Sequence, residues 1–214
     1  MFVEKIIRIN IIKSLWFSIR FCGWAKGVKL PLVLAYGMKI RIDKSAQVLL
    51  PDSGRVIFRG KGSWRMNAGS TIVFKGITRI DSGIRIFVNE KSSLILGNRF
   101  MTNGTCVFNV GKKMVFGDNV LFSDNSLIYD TDYHSIYDEN GSVINYNRDV
   151  IVGNNVWFGN RTIILKGTTI GDNVVIGSGS VISGKLLESN AIYAGVPAKL
   201  IKKGITWDNN YPGN

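Results

Sequence analysis

The chain of 214 residues contains one histidine, His134, in the segment YDTDYHSIYD, with Asp130, Asp132 and Asp138 close by. A neutral imidazole, with an ordinary pKa of about 6.5, can take a proton from a hydroxyl or an amine at neutral pH. A carboxylate accepting the Nδ1 proton would fix its tautomer, which makes Asp132 and Asp138, with Asp130 beside them, candidate partners for a general base at His134. Such a base contributes roughly 10²- to 10⁴-fold in rate. The same inventory closes other routes. A zinc site built from a trigonal set of histidines cannot be made from one. Cys22 and Cys106 lie far apart with no CxxC spacing, so neither a disulfide framework nor a cysteine zinc site is indicated, and no metal is expected. Neither cysteine shows a histidine partner, so an acyl-enzyme nucleophile is not needed.

The elements that must hold His134 are read from a period of six. From Val152 an aliphatic or aromatic residue returns every sixth position, through Phe158, Ile164, Ile170, Ile176 and Ile182. Helical faces repeat at about 3.6 residues and strands at about 2, so each unit must turn a corner and present one inward side chain again. That pattern predicts a parallel β-helix. The fifth position of each unit (Val156, Thr162, Thr168, Val174, Ser180) is small or β-branched, and Asn, Asp, Gly and Ser fill the corners, where positive φ costs them least. Upstream, Arg55 to Arg59, Ser70 to Phe74, Ile84 to Val88, Ser93 to Leu96 and Thr105 to Phe108 read as short strands. The frame holds at Leu96, Thr102 and Phe108, slips by two, and resumes at Phe116, Phe122 and Ile128. Residues 129–149 carry no repeat and read as a loop extruded from one corner, which is where function concentrates on a rigid scaffold.

Apolar content of 45% is ample for a core, and 27 basic against 15 acidic residues give a net charge of +12. That balance suggests an anionic partner: nucleic acid, a membrane surface or a phosphate-rich cofactor. No nucleic-acid-binding motif is visible, so nucleic acid is not expected. Residues 1–38 form an apolar but charge-broken segment, helical over about 4–21, followed by an extended link containing Pro31. It reads as neither a signal peptide nor a spanning helix. Packing against its own domain or a neighbouring subunit, or docking on an anionic membrane surface, would cover it. Residues 39–184 form the β-helix, and 185–214 an extended stretch, a short basic helix within NAIYAGVPAKLIKK, and a loose tail.

Together DYHSIYD, the block VIVGNNVWFGNRTIILKGTTIGDNVVIGSGSVIS and the following AGVPAKLIK resemble the hexapeptide-repeat acyltransferases, across residues 39–203. The likeness is to the O-acetyltransferases of surface polysaccharides, galactosides and maltose. SLWFSIRFCGWAKGVKLPLVLAYGMKI resembles the N-terminal element of the polysaccharide-acetylating branch. The resemblance implies an all-β, left-handed parallel β-helix with an N-terminal helical segment and a short C-terminal helix, assembled as a homotrimer with active sites between subunits. It also implies acetyl-CoA as donor and a saccharide acceptor. His134 matches the general base; Asn103 matches an acceptor-binding position, with Asp130 and Tyr133 beside the base on the acceptor side. Trp157 matches a tryptophan along the cofactor channel, Asn160, Ser178 and Ser183 positions along the pantetheine arm, and Lys199 and Lys202 the basic residues near the CoA phosphates. SGKLLESNAIYAGVP departs from the family's pattern, which has a Pro pair before the final Asn.

The expected activity is therefore direct acetyl transfer to a sugar hydroxyl, in surface polysaccharide or lipid-linked oligosaccharide synthesis. Sugar-nucleotide N-acetylation and a non-enzymatic β-helix scaffold are the competing readings. The reduced cysteines and the basic, apolar N-terminus suggest a cytoplasmic protein, at the inner face of the membrane.

Overall fold

The structure, a computed structural model, describes residues 10–27, 29–34, 38–51 and 53–210. The period of six is realised as a parallel β-helix. Among the described residues three sheets of nine, seven and seven strands form the faces of a prism, and the chain visits them in rotation. Trp157–Phe158 lies on the first face, Ile163–Ile164 on the second, Thr169–Ile170 on the third, and Val174–Ile176 on the first again. Phe158 pairs with Ile176 and Ile164 with Ile182, so each of these turns uses three six-residue units. All six residues of the repeat from Val152 to Ile182 are buried. At the corner between the third and first faces, Asn119, Asn155 and Asn173 each adopt positive φ, and their amides bond one to the next along the prism. Such a ladder satisfies side-chain polar groups while using the residue type that tolerates the left-handed conformation.

Earlier turns are longer, and this is why the frame is looser there. Met66 lies opposite Ile42, Val88 opposite Met66, and Phe116 opposite Leu96, which makes those turns 24, 22 and 20 residues. On the second face the extra residues bring a third side chain inward: Ile84, Ile86 and Val88 in one turn, Cys106, Phe108 and Val110 in the next. The enlarged section is filled by aromatic side chains, among them Phe58, Trp64, Phe74, Phe100, Phe108 and Phe116, all fully buried. Burying a ring of this size contributes on the order of 1.5–3 kcal/mol. Phe122 stacks on Phe158 at 4.3 Å, where the wide section meets the regular one.

The first face is covered at both of its edges. Helix α1, Ile11–Gly27, is capped by Asn10, whose Oδ1 accepts from the Lys13 N–H at 3.0 Å. It lies along the open edge of the strand Leu32–Leu34, and what it buries there are serines. Ser14 Oγ accepts from Leu34 N at 2.9 Å and Ser18 Oγ from Leu32 N at 3.3 Å. An uncovered edge would present free N–H and C=O groups to other chains, so these serines finish the sheet. Phe17 and Phe21 pack on the core, while Ile12, Trp16 and Arg20 stand outward at four-residue spacing, with Trp24 just past a kink at Gly23. The expected helix over residues 4–9 and the link at 35–37 fall outside the described residues.

The C-terminal basic helix is not formed. Ala198–Lys203 is a strand, antiparallel to Ala191–Gly195 at the far edge of the first face. The open edge of Ala191–Gly195 offers AKLIKK a ladder of hydrogen bonds, which outweighs the good helix propensity of its Ala, Leu and Lys residues. The tail is also less loose than expected: Trp207 Nε1 donates to the Asn155 carbonyl at 2.7 Å, and its ring lies 6.0 Å from that of Trp157. Despite the missing Pro pair, Lys185–Leu186 continues the third face.

Candidate active site

The interrupting loop leaves the corner between the second and third faces, after Ser126–Tyr129, and returns at Val150–Val152. Its entry is fixed by Asp130. This residue falls where Val110 points inward one turn earlier, and its carboxylate is fully buried. Its two oxygens accept from Gly111 N at 2.5 Å and Lys112 N at 3.0 Å, and its carbonyl accepts from Arg148 N at 3.1 Å as the loop comes back. Burial pushes the Asp130 carboxyl above the usual range, and the N–H groups of Gly111 and Lys112 pull the other way. Asp130 is thus committed to the scaffold and is closed to an acceptor.

Beyond Asp130 the loop is a small hairpin. Tyr137 bridges Val143, Ile144 N donates to Ile136 O at 2.9 Å, and Asp138 Oδ1 accepts from Asn140 N and Ser142 N at 2.9 and 2.8 Å. Asp138 therefore shapes its own turn rather than meeting His134. Asp132 is engaged elsewhere too: one oxygen takes Lys166 Nζ, and Asn145 Nδ2 at 2.8 Å. These bonds, Lys166 first and Asn145 second, hold its carboxyl below the ordinary range. Among the described residues the His134 ring has no carboxylate at hydrogen-bond distance; it stands exposed in the cavity, available to an incoming hydroxyl.

Two residues that the sequence did not single out hold this arrangement. Asn145 donates to the His134 carbonyl at 2.8 Å and accepts from Ile136 N at 2.7 Å, which ties both arms of the hairpin to the histidine. Lys166, on the next turn of the prism, donates to the Asn145 carbonyl at 2.7 Å as well as to Asp132, which ties the hairpin to the scaffold. Nothing in a lone Asn or Lys marks such a role; only the partners reveal it. Tyr133 adopts φ +61° immediately before His134, a conformation that costs a non-glycine residue about 1–2 kcal/mol. Its hydroxyl donates to Asn109 Oδ1 at 2.9 Å and accepts from Asn89 Nδ2 at 3.3 Å, bonds that hold it there.

A cavity of about 440 Å³ opens beside the histidine, lined by Tyr133, His134, Asn145, Asn147, Gly111 and Asn89 among others. None of the other predicted binding residues lines it. Asn103 is exposed at the corner between the first and second faces. Asn160 and Ser178 lie on that same corner, joined by a bond from Asn160 N to Ser178 Oγ at 3.2 Å. Trp157 is on the adjoining first face, 38% exposed, its Nε1 donating to Ser123 Oγ at 3.1 Å. Lys199 and Lys202 are exposed on the strand that closes that face. Ser183 alone shares the histidine's corner, beyond Lys166. The candidate base and the candidate donor groove thus occupy different corners of one prism, with the second face between them.

Residues 149–184 match the family model described as bacterial transferase hexapeptide (six repeats). A maltose O-acetyltransferase from Clostridium difficile 630 is 36% identical, with a TM-score of 0.52, over 63% of this chain and 69% of its own. The chain belongs to the hexapeptide-repeat transferase family. Another hexapeptide-fold structure, a polysialic acid O-acetyltransferase, superposes with a TM-score of 0.65 at 27% identity, over 83% of this chain and 90% of the other. The galactoside O-acetyltransferase of Escherichia coli K12 is 33% identical over 128 residues, 59% of this chain. This hexapeptide-repeat chain spans 62% of that curated relative's length.

Proposed function

We propose that the protein is an acetyl-CoA-dependent O-acetyltransferase that acylates a sugar hydroxyl by direct transfer, with His134 as general base. The observation that carries this is the position of the one imidazole: it lines a cavity that asparagine side chains share, on a hairpin tied to the prism at its root through Asp130 and on its return through Lys166. Relatives and structural neighbours act on galactosides, maltose and polysialic acid, which supports a saccharide acceptor.

Trp157, Asn160 and Ser178 offer an aromatic wall and polar corner groups for the donor's pantetheine arm, and Lys199 and Lys202 offer charge for its phosphates. The donor supplies the acetyl group as a thioester. His134 takes the proton of the acceptor hydroxyl while that oxygen bonds to the acetyl carbon, and delivers the proton to the sulfur as the C–S bond breaks. A covalent route through Cys106 is disfavoured, because burial pushes its thiol up to about 12.

Since base and donor groove lie on separate corners, two copies are needed to complete one site, which supports a homotrimer with sites between subunits. The exposed Ile136, Tyr137, Ile144 and Tyr146 of the hairpin supply apolar surface for such a neighbour. No helix among the described residues is long and apolar enough to cross a membrane. The outward ridge of Ile12, Trp16, Arg20 and Trp24 suits peripheral contact with an anionic lipid surface, which supports the reading of a cytoplasmic protein at the inner face of the membrane.

The test is release of free thiol from acetyl-CoA with a panel of saccharides, for the native protein and His134→Ala. Acceptor-dependent release that falls by about 10²- to 10⁴-fold in the variant is expected. Undiminished turnover in His134→Ala would sink the proposal.

A further inference from the structure

The cavity at His134 does not end at Tyr133. A second cavity of about 300 Å³ adjoins it, and Tyr133 and Asn89 line both. Its remaining wall is the outer surface of the second face: Arg65, Asn67, Phe87 and Asn109, with Val88. Arg65 and Phe87 are neighbours across adjacent strands, so a guanidinium and a half-exposed aromatic ring stand side by side. Asn67, Asn89 and Asn109 bring amides to the same space, and Asn67 Nδ2 reaches Asn89 Oδ1 at 3.5 Å.

Each part has a matching group on a sugar. An aromatic ring takes the apolar face of a pyranose, amides take its hydroxyls, and a guanidinium takes an anionic oxygen pair with a geometry that lysine cannot provide. The charge is not confined to Arg65. Arg41 is in register with it one strand further on, and Lys39 and Arg85 both flank Ser63 on the same outer surface. All four cations are exposed, and the strands Met38–Ile42, Gly62–Met66 and Arg85–Val88 contain no Asp or Glu. A single-sign strip of this kind raises the local concentration of anionic groups.

We infer that the second cavity is an acceptor subsite that binds an acidic sugar unit next to the unit acetylated at His134, so that the preferred acceptor is an acidic oligo- or polysaccharide. This rests on the function proposed above and names its substrate class. Tyr133 lines both subsites, which gives its strained backbone and its two amide partners a role in acceptor placement.

The experiment measures equilibrium binding of three trisaccharides to the full-length protein: trigalacturonic acid, a mannose 6-phosphate-containing trisaccharide, and neutral maltotriose. Thiol release is followed separately. At least one acidic trisaccharide is expected to bind more tightly than maltotriose, with an affinity that falls as salt rises from 50 to 300 mM. Arg65→Gln should weaken that binding about tenfold or more, whereas the same charge removal at Arg79→Gln, on the first face, should not. The carboxylate and phosphate arms tell which acid is read. The subsite is overturned if maltotriose binds as well as both acids, if neither acid binds, or if Arg65→Gln and Arg79→Gln behave alike. If no saccharide supports thiol release, the acetyl-transfer reading fails whatever the binding data show.

Discussion

Lys166→Met tests whether the hairpin carrying His134 is held by the scaffold. The lysine side chain is only 12% exposed, and it donates to Asp132 and to the Asn145 carbonyl. Removing a charge-assisted bond from a partly buried site costs about 1.5–3 kcal/mol. The Asp132 side chain is 41% exposed, so solvent recovers part of this. A net loosening of about 1–2 kcal/mol is left, which at 1.36 kcal/mol per decade lowers the population of the ordered hairpin by about 5- to 30-fold once that population limits turnover. The expected result is a fall in kcat of that size, with a matching loss of hydrogen-exchange protection at the Ile136 and Ile144 amides. Protection on the prism, for instance at Ile163 and Ile151, should be unchanged. Methionine keeps the aliphatic stem, so packing is largely preserved. If Lys166→Met leaves both kcat and hairpin exchange at native values, the tether is irrelevant and the reasoning is wrong.

The pH response of the same tether has a definite sign. The Asp132 carboxyl is held below its ordinary value by Lys166 and Asn145, so its contribution is complete above the ordinary carboxylate range and is lost as pH falls through the lower folded value. Hairpin protection, corrected for intrinsic exchange, should therefore stay flat from pH 8 to pH 5 and collapse only in strong acid; a loss near pH 6 would contradict this. Cys106→Ala should keep acceptor-dependent transfer within about threefold, since a buried thiol pushed up to about 12 takes no part, and a hundredfold loss in a folded variant would revive the covalent route. Paired substitution of Trp16 and Trp24 by Ala should reduce flotation with anionic vesicles at least fivefold without changing thiol release from a soluble acceptor. Equal flotation would remove the membrane contact.

The fold was most legible where each turn is three six-residue units. From Val152 to Ile182 each unit buries the repeat residue and the small or β-branched one two positions before it, such as Thr162 with Ile164, so sequence spacing and geometry coincide. Upstream, Ile84, Ile86 and Val88 all point inward within one turn, and a period of six cannot represent a face that holds three. AKLIKK was misread for a different reason: its composition suits a helix, and only the open edge beside Ala191–Gly195 makes it a strand. His134 was conspicuous because it is a single histidine in the one break of the repeat. Its neighbours were not legible in the same way. Asp130, Asp132 and Asp138 all lie within four residues of it, yet one is buried under Gly111, one is tied to Lys166 and one closes a turn. Sequence distance carries no direction, and Asn145 and Lys166 belong to types that occur throughout the chain.

The ladder runs through the interruption as though it were absent: Phe122 pairs with Phe158, and Ile128 with Ile164, across some 36 residues that include the whole hairpin. No hairpin residue belongs to the hydrophobic core, and only Asp130 and Thr131 at its root are buried. Chemistry and folding are therefore written on nearly disjoint sets of residues. A lineage of such chains could rewrite the interruption, its length included, to meet new acceptors while the stack beneath keeps its register, and the durable part of the molecule would record nothing of the change.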